Sequence, residues 1–493
     1  MLIGKLLAEK GEHVNRKIIV LELNEVPNRV IDDYVKNNPE SNWAKLTKRS
    51  ARFVAATPDE IQLHPKISWQ TFHRGVPDHQ HGFVEYNQTE AVGKENYPPI
   101  WELVRDSGKT IGCGASIGSY PMPNSGDNVA FYLTDPFAPT FETAPEYLGT
   151  FQQFNNMAVQ RSGRNVRKGG FGLSEMTALL LNVPRLGMTP GTIYKTAKQL
   201  IGERRNNALI VRRRNVQALM TFDVVFKQIK KTKPDFSTIF VNHVASSMHR
   251  YWAAKFPDDY IENKMPEEWR NTYSGEIDAA MNDADSMLGQ LDQFTQSNPE
   301  FTVLVIASMG QEAIEHEPTM NQLIIGDFDA FMQTLGFSQN EYTKLTGMEP
   351  EYVVEFSDAD GLERFKQVCK KLDINGLLPT VKPINEKQTG FLVFQNNIDI
   401  DTIEVDGKTV TLAAAGLVID KIQDMSGSTA QHIRGGSCFV FNGQSDLSSY
   451  SNLDVEHNLV SITSSVLEAL DVEPAPYMQA SVPEVVDAMR KTA

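Results

Sequence analysis

Lys17-Ile18-Ile19-Val20-Leu21-Glu22-Leu23-Asn24-Glu25 is a short apolar run that breaks abruptly into polar residues. A strand buried on both faces of a parallel sheet reads this way, delivering polar side chains at its C-terminal end. The pattern recurs in Ser237-Thr238-Ile239-Phe240-Val241-Asn242-His243 and in Phe301-Thr302-Val303-Leu304-Val305-Ile306-Ala307-Ser308. Helical stretches separate these runs, and the alternation predicts an α/β fold, a doubly wound and mainly parallel sheet flanked by helices. Ligands of such sheets bind outside the carboxyl ends of the strands, so that edge is where chemistry is expected.

Outward from these strands, residues 98–235 begin as loop-rich sequence with many Pro and Phe, as in Asp135-Pro136-Phe137-Ala138-Pro139-Thr140-Phe141. Beyond Glu175 the chain turns helical and basic, and 211–220 carries apolar residues at helical spacing. This reads as a helical basic cap inserted into the sheet domain. A second small α+β insertion is expected over 321–420, with a helix near 358–372 and a hairpin turning at Asp406-Gly407. The chain then rejoins the core through Ser437-Cys438-Phe439-Val440-Phe441-Asn442-Gly443 and closes with a helix over 459–470. The expected order is core (14–98), cap (99–235), core (236–320), insertion (321–420) and core (421–493).

Bulk properties narrow the function. A length of 493 residues suits about three domains, or one large α/β core with insertions. No run approaches the ~20 apolar residues of a membrane helix, and the first ten residues are too short and charged for a signal peptide. Cys113, Cys369 and Cys438 are too few and too scattered for a disulfide framework or a Cys-rich zinc site. A soluble, cytoplasmic protein is the expectation. Net charge is -15, yet residues 160–234 hold 16 Lys and Arg against Glu175, Glu203 and Asp223. A basic segment in an acidic chain points to an anionic partner, or else to solvated helix faces that balance the acidic body.

The second informative stretch is Ser68-Trp69-Gln70-Thr71-Phe72-His73-Arg74-Gly75-Val76-Pro77-Asp78-His79-Gln80-His81-Gly82, preceded by Pro65-Lys66-Ile67. It reads as a hydroxyl residue opening a short helix, followed by Gly, Pro and a His-Gly turn. A helix N-terminus presents unpaired N–H groups and a positive dipole end, which suits a phosphate or sulfate ester.

With Pro65-x-x-Ser68, Arg74-Gly75 and Pro77-Asp78-His79-Gln80-His81-Gly82 in this order, the chain resembles the alkaline phosphatase superfamily, in particular its type I phosphodiesterase/nucleotide pyrophosphatase-like branch. The resemblance spans roughly 17–85, 237–320 and 420–485. It implies Ser68 as nucleophile, or Thr71 if the shorter helix shifts the alignment. Asn24 stands where the family places a metal-binding Asp, followed by Glu25, which would compensate for the missing charge. Val244-Ala245-Ser246-Ser247-Met248-His249-Arg250-Tyr251-Trp252 resembles the Asp-x-x-x-His motif, with Ala245 in the carboxylate position and His249 retained. Ala307-Ser308-Met309-Gly310-Gln311 lacks the Asp and His of Ser-Asp-His-Gly, and His432 lies in the late Gly-rich loop 426–436. One divalent metal or none is therefore implied, zinc or else magnesium, manganese or calcium, held by His249 and His432 with Asn24 or His243.

The activity implied is hydrolysis or transfer of a phosphate or sulfate ester. His81, Arg250 and the cap residues Arg161, Arg164 and Arg212 would bind the anionic substrate, a small ester or a phosphorylated glycan or lipid. The alternative is a degenerate member that binds an anionic glycan, lipid or nucleotide without cleaving it. Nucleic acid is the least favoured partner, because Arg204-Arg205 and Arg212-Arg213-Arg214 lack interleaved aromatics. The oligomeric state is not legible.

Overall fold

The computed structural model describes residues 16–491 apart from 87, 89–94, 124–125, 127, 161–181, 346, 348–350, 394 and 444. Its centre is a nine-stranded sheet whose strands, in chain order, are β1 (Lys17–Leu23), β2 (Ala51–Ala56), β3 (Ile111–Gly114), β4 (Val129–Leu133), β5 (Thr143–Ala144), β6 (Phe236–Val241), β7 (Phe301–Ile306), β8 (Gly435–Phe441) and β9 (Asn452–Asn458). The spatial order is β9-β2-β8-β7-β1-β6-β3-β4-β5. β7, β1, β6, β3 and β4 form a continuous parallel block, while β8 runs antiparallel between β7 and β2.

β1 is central, and its alternate residues feed two cores. Ile19, Leu21 and Leu23 join Val303, Val305 and Phe439 under the helices Arg213–Thr232, His243–Lys255 and Glu276–Ser297. Ile18 and Val20 join Leu304, Ile306, Cys438 and Val440 beneath Pro65–Arg74 and Leu459–Ala469. Trp43, Trp69, Trp101 and Trp252 lie wholly inside, and truncating any of them to Ala would cost about 3–5 kcal/mol. Glu22 shares the face of Ile18 and Val20, where its Oε1 lies 2.8 Å from Nε2 of the equally buried His73.

The stretch 99–235 departs from its reading as a cap. β3, β4 and β5 all lie within it and extend the main sheet; they are short and set among Pro and Gly, which hides their period. The helices Pro190–Arg205 and Arg213–Thr232 follow later in the same stretch.

Residues 321–420 contain a four-stranded sheet, the helix Ala359–Cys369, a hairpin turning at Asp406 and Gly407, and a separate apolar core around Phe331, Tyr352, Phe365 and Phe391. A buried lysine joins this unit to the main body. Lys66 Nζ lies 2.7 Å from Glu85 and 2.9 Å from Glu351, and Glu351 also meets Lys382 at 3.0 Å. The two carboxylates outweigh burial and raise the Lys66 pKa, so its ammonium stays charged.

Among the described residues no helix is long and apolar enough to cross a membrane.

Candidate metal centre

Beyond β1 the chain turns at Glu25, whose φ of 60° is unusual for a residue with a Cβ. This turn places the Glu25 carboxylate inside the carboxyl edge of the sheet, 2 % exposed. Two histidines reach it from different elements. His249 lies on the His243–Lys255 helix, and its Nε2 is 2.8 Å from Glu25 Oε2. His432 comes from a two-stranded ribbon at the same edge, Ala430–Ile433 against Gly310–Ala313, and its Nε2 is 3.3 Å from Oε2.

The imidazoles are oriented by their far nitrogens. His249 Nδ1 lies 3.1 Å from the Ala430 carbonyl and His432 Nδ1 2.9 Å from the Leu63 carbonyl. A carbonyl only accepts, so each Nδ1 carries the proton and donates it, which turns Nε2 inward as a potential ligand. Ligand atoms of Glu25, His249 and His432 all lie within 4.8 Å of one another. His432 Nε2 is buried without a hydrogen-bond partner among the described residues, as suits a nitrogen whose partner is a metal.

Two imidazoles and one carboxylate match the donor set of a catalytic zinc that keeps a fourth position open. Burial alone would raise the Glu25 pKa, but His432 and His249 outweigh it and hold the carboxyl well below its ordinary value. Burial likewise opposes charge on His432, while Glu25 raises its pKa overall. A divalent cation held between the three side chains would balance the Glu25 charge.

Surrounding groups hold this carboxylate. Gln311 lies opposite His432 in the ribbon, and its Nε2 donates to Glu25 Oε2 and, at 3.2 Å, to the Ala245 carbonyl. The amide of Asn24 is heavily engaged: Nδ2 donates to Glu25 Oε1 and to Asn242 Oδ1, each at 2.7 Å, while Oδ1 accepts from Trp69 Nε1 at 2.7 Å. Asn24 thus touches the centre through Glu25. His243 is buried elsewhere, near Asp283 and Lys195, and burial pushes its pKa down to about 4. It is not part of the group.

Ser68 does not cap the helix. His64 is the cap, with Pro65 in the first turn where its missing N–H costs nothing. The Ser68 N–H already donates to the His64 carbonyl at 3.0 Å. The Ser68 hydroxyl is fully buried, 2.7 Å from Ser308 Oγ. Thr71 is equally buried; its Oγ1 lies 2.5 Å from Asp59 Oδ1 and 3.0 Å from His81 Nε2. His81 Nδ1 accepts from the Phe83 N–H at 3.0 Å, so Nε2–H donates to Thr71 and Thr71 donates to Asp59. Burial lowers the His81 pKa to about 3, which keeps this network neutral at the imidazole.

Besides Gln311, His64 is a neighbour of the centre that the sequence did not point to. Its ring meets that of His432 edge-on at 5.6 Å between centroids, and its Nδ1 accepts from the Lys66 N–H at 3.2 Å. Burial, then the charge of Lys66, holds its pKa well below the ordinary value. Of the expected anion-binding residues, Arg250 faces Asp424 at 4.0 Å and Ser426 at 3.5 Å. Arg212 forms a two-pronged pair with Glu276, at 2.8 and 2.7 Å. Arg161 and Arg164 lie outside the described residues.

No family model and no curated protein matches the chain. Among solved structures it is similar to murine ectonucleotide pyrophosphatase/phosphodiesterase 5, with 10 % identity, a TM-score of 0.43, and coverage of 96 % of this chain and 100 % of that one. The human counterpart gives 10 %, 0.41, 96 % and 99 %. Phosphonoacetate hydrolase from Sinorhizobium meliloti 1021, in complex with phosphonoformate, gives 11 %, 0.36, 97 % and 94 %.

Proposed function

We propose that the chain is a divergent alkaline phosphatase-like hydrolase of phosphate or sulfate esters that works with one divalent metal. Glu25, His249 and His432 would hold that metal. The observation that carries this reading is the convergence of two Nε2 atoms on one carboxylate while both Nδ1 atoms are fixed by backbone carbonyls. Two nitrogens among three donors favour zinc over magnesium or calcium, which prefer all-oxygen shells. A cation bound there supplies Lewis acidity and eases deprotonation of water at neutral pH.

The chain's own residues orient and balance the site. Gln311 fixes the Glu25 carboxylate, and the Ala430 and Leu63 carbonyls fix the two imidazoles. Because Nδ1 of His64 accepts a hydrogen bond, its Nε2 bears the proton and can donate to a substrate oxygen. Water is the attacking group in this reading, since the Ser68 and Thr71 hydroxyls are sealed inside the protein. It adds to the phosphorus or sulfur, and the alcohol leaves with a proton. The same burial favours a second reading, a protein that binds an anionic ester without cleaving it.

Metal analysis of protein purified without chelator, with turnover of an aryl phosphodiester, phosphomonoester and sulfate, tests both. Bound zinc, with turnover lost in Glu25→Gln and retained in Ser68→Ala, is the expected result. Loss of turnover in a folded, zinc-loaded Ser68→Ala protein would restore the serine nucleophile. Zinc without turnover selects the binding reading, and absence of both ends the hydrolase reading.

A further inference from the structure

The helix Pro190–Arg205 is amphipathic the wrong way round. A surface helix ordinarily turns its apolar stripe to the core and its polar face to water. Here Thr192 is buried, and the partly buried Lys195, Gln199 and Glu203 supply the inward ties. Lys195 meets Asp283 at 2.7 Å, Gln199 donates to the Leu209 carbonyl at 2.5 Å, and Glu203 receives Arg213 at 2.8 Å. The outward face holds Ile193, Tyr194, Leu200 and Ile201, exposed by 46, 68, 46 and 53 %, with the exposed Ala197 between them. At 3.6 residues per turn these five share an arc of roughly 120°.

Three cations accompany the stripe. Lys198, Arg204 and Arg205 are exposed, and none has a carboxylate partner among the described residues. Glu203, the one acid on the helix, is engaged by Arg213. A local cluster of unpaired positive charge around an apolar stripe is complementary to a surface both apolar and anionic. Packing this face on a second copy of itself would set the same cations against one another. An Ile/Leu/Tyr stripe flanked by Lys and Arg is instead the composition of helices that lie in the headgroup layer of a bilayer.

From this juxtaposition we infer that the Pro190–Arg205 helix docks the protein on an anionic phospholipid surface, with Ile193, Tyr194, Leu200 and Ile201 in the interface and Lys198, Arg204 and Arg205 on the headgroups. The inference is independent of the metal centre and of any turnover.

Co-sedimentation of the full chain with phosphatidylcholine vesicles, with and without phosphatidylserine, tests it. Binding is expected only with phosphatidylserine, weakened by salt. Arg204→Gln with Arg205→Gln should lower partitioning about fivefold per charge, and Ile193→Ser with Ile201→Ser should abolish it. All four positions are exposed, so both double variants should keep the parent's circular dichroism and melting temperature. Absence of binding to the anionic vesicles, or binding that survives Ile193→Ser with Ile201→Ser, overturns the inference. Concentration-dependent self-association lost in the same variant, without vesicle binding, also overturns it and assigns the stripe to a second copy.

Discussion

Glu25 governs the centre, and the consequences of changing it are sharp. Glu25→Gln removes the carboxylate that both Nε2 atoms face, so zinc should be lost in competition with a chelator that leaves the parent protein loaded. Gln311→Leu keeps all three ligands but frees Oε2 from its donor; a drop in zinc affinity of roughly 10–100-fold is expected. Ser68→Ala removes one buried hydrogen bond and should cost about 1 kcal/mol in urea unfolding, with zinc content unchanged. His249 and His432 were legible in the sequence because each lies in a motif of recognisable order. The sequence names Asn24 as the ligand and Glu25 only as a neighbour that compensates for its missing charge, since two consecutive polar residues at a strand end give no sign of which one turns inward. The positive φ at Glu25 decides it, and that is a tertiary fact. His64 was missed for a related reason: the Pro65 start moves the helix mouth four residues ahead of the serine that reads as its cap.

The ribbon that carries His432 and Gln311 depends on close backbone approach. A Cβ on Gly436 would lie 2.4 Å from the Ala307 carbonyl oxygen, and one on Gly310 would lie 2.2 Å from that of Gly435. Neither contact can be relieved by rotating a side chain. Gly436→Ala should therefore destabilise the fold by roughly 1–3 kcal/mol and weaken zinc binding together with it, because the start of β8 shifts and carries with it the ribbon strand just before it, which bears His432. Zinc affinity at the parent level in a destabilised Gly436→Ala protein would show that the ribbon does not set the ligand geometry. The three strands read from sequence, β1, β6 and β7, are adjacent in the sheet, and their uninterrupted apolar runs made them visible. β3, β4 and β5 contribute four, five and two residues, too few to establish a period against the surrounding Pro and Gly.

Across the whole molecule, buried neutral histidines set the response to acid. Burial lowers the pKa of His243 to about 4 and that of His81 to about 3. Unfolded histidines titrate near 6.5, so below that pH the unfolded chain takes up protons that the native state refuses, and stability falls. Between pH 7 and pH 5 the His243 contribution is about 2 kcal/mol. Replacing His243 with Leu should reduce the loss of urea resistance between those two pH values by about that amount, measured on the full chain. An unchanged pH dependence would mean that His243 titrates normally in the native protein. The bond between the main body and 321–420 also acts at this scale. Lys66 sits in the first turn of the helix that His64 caps, and one of its two carboxylate partners, Glu351, lies across the junction. A shortened chain lacking that segment would leave a buried ammonium with Glu85 alone. The segment is thus no detachable module, and a stable minimal version of this protein would require a new residue at position 66 before any deletion.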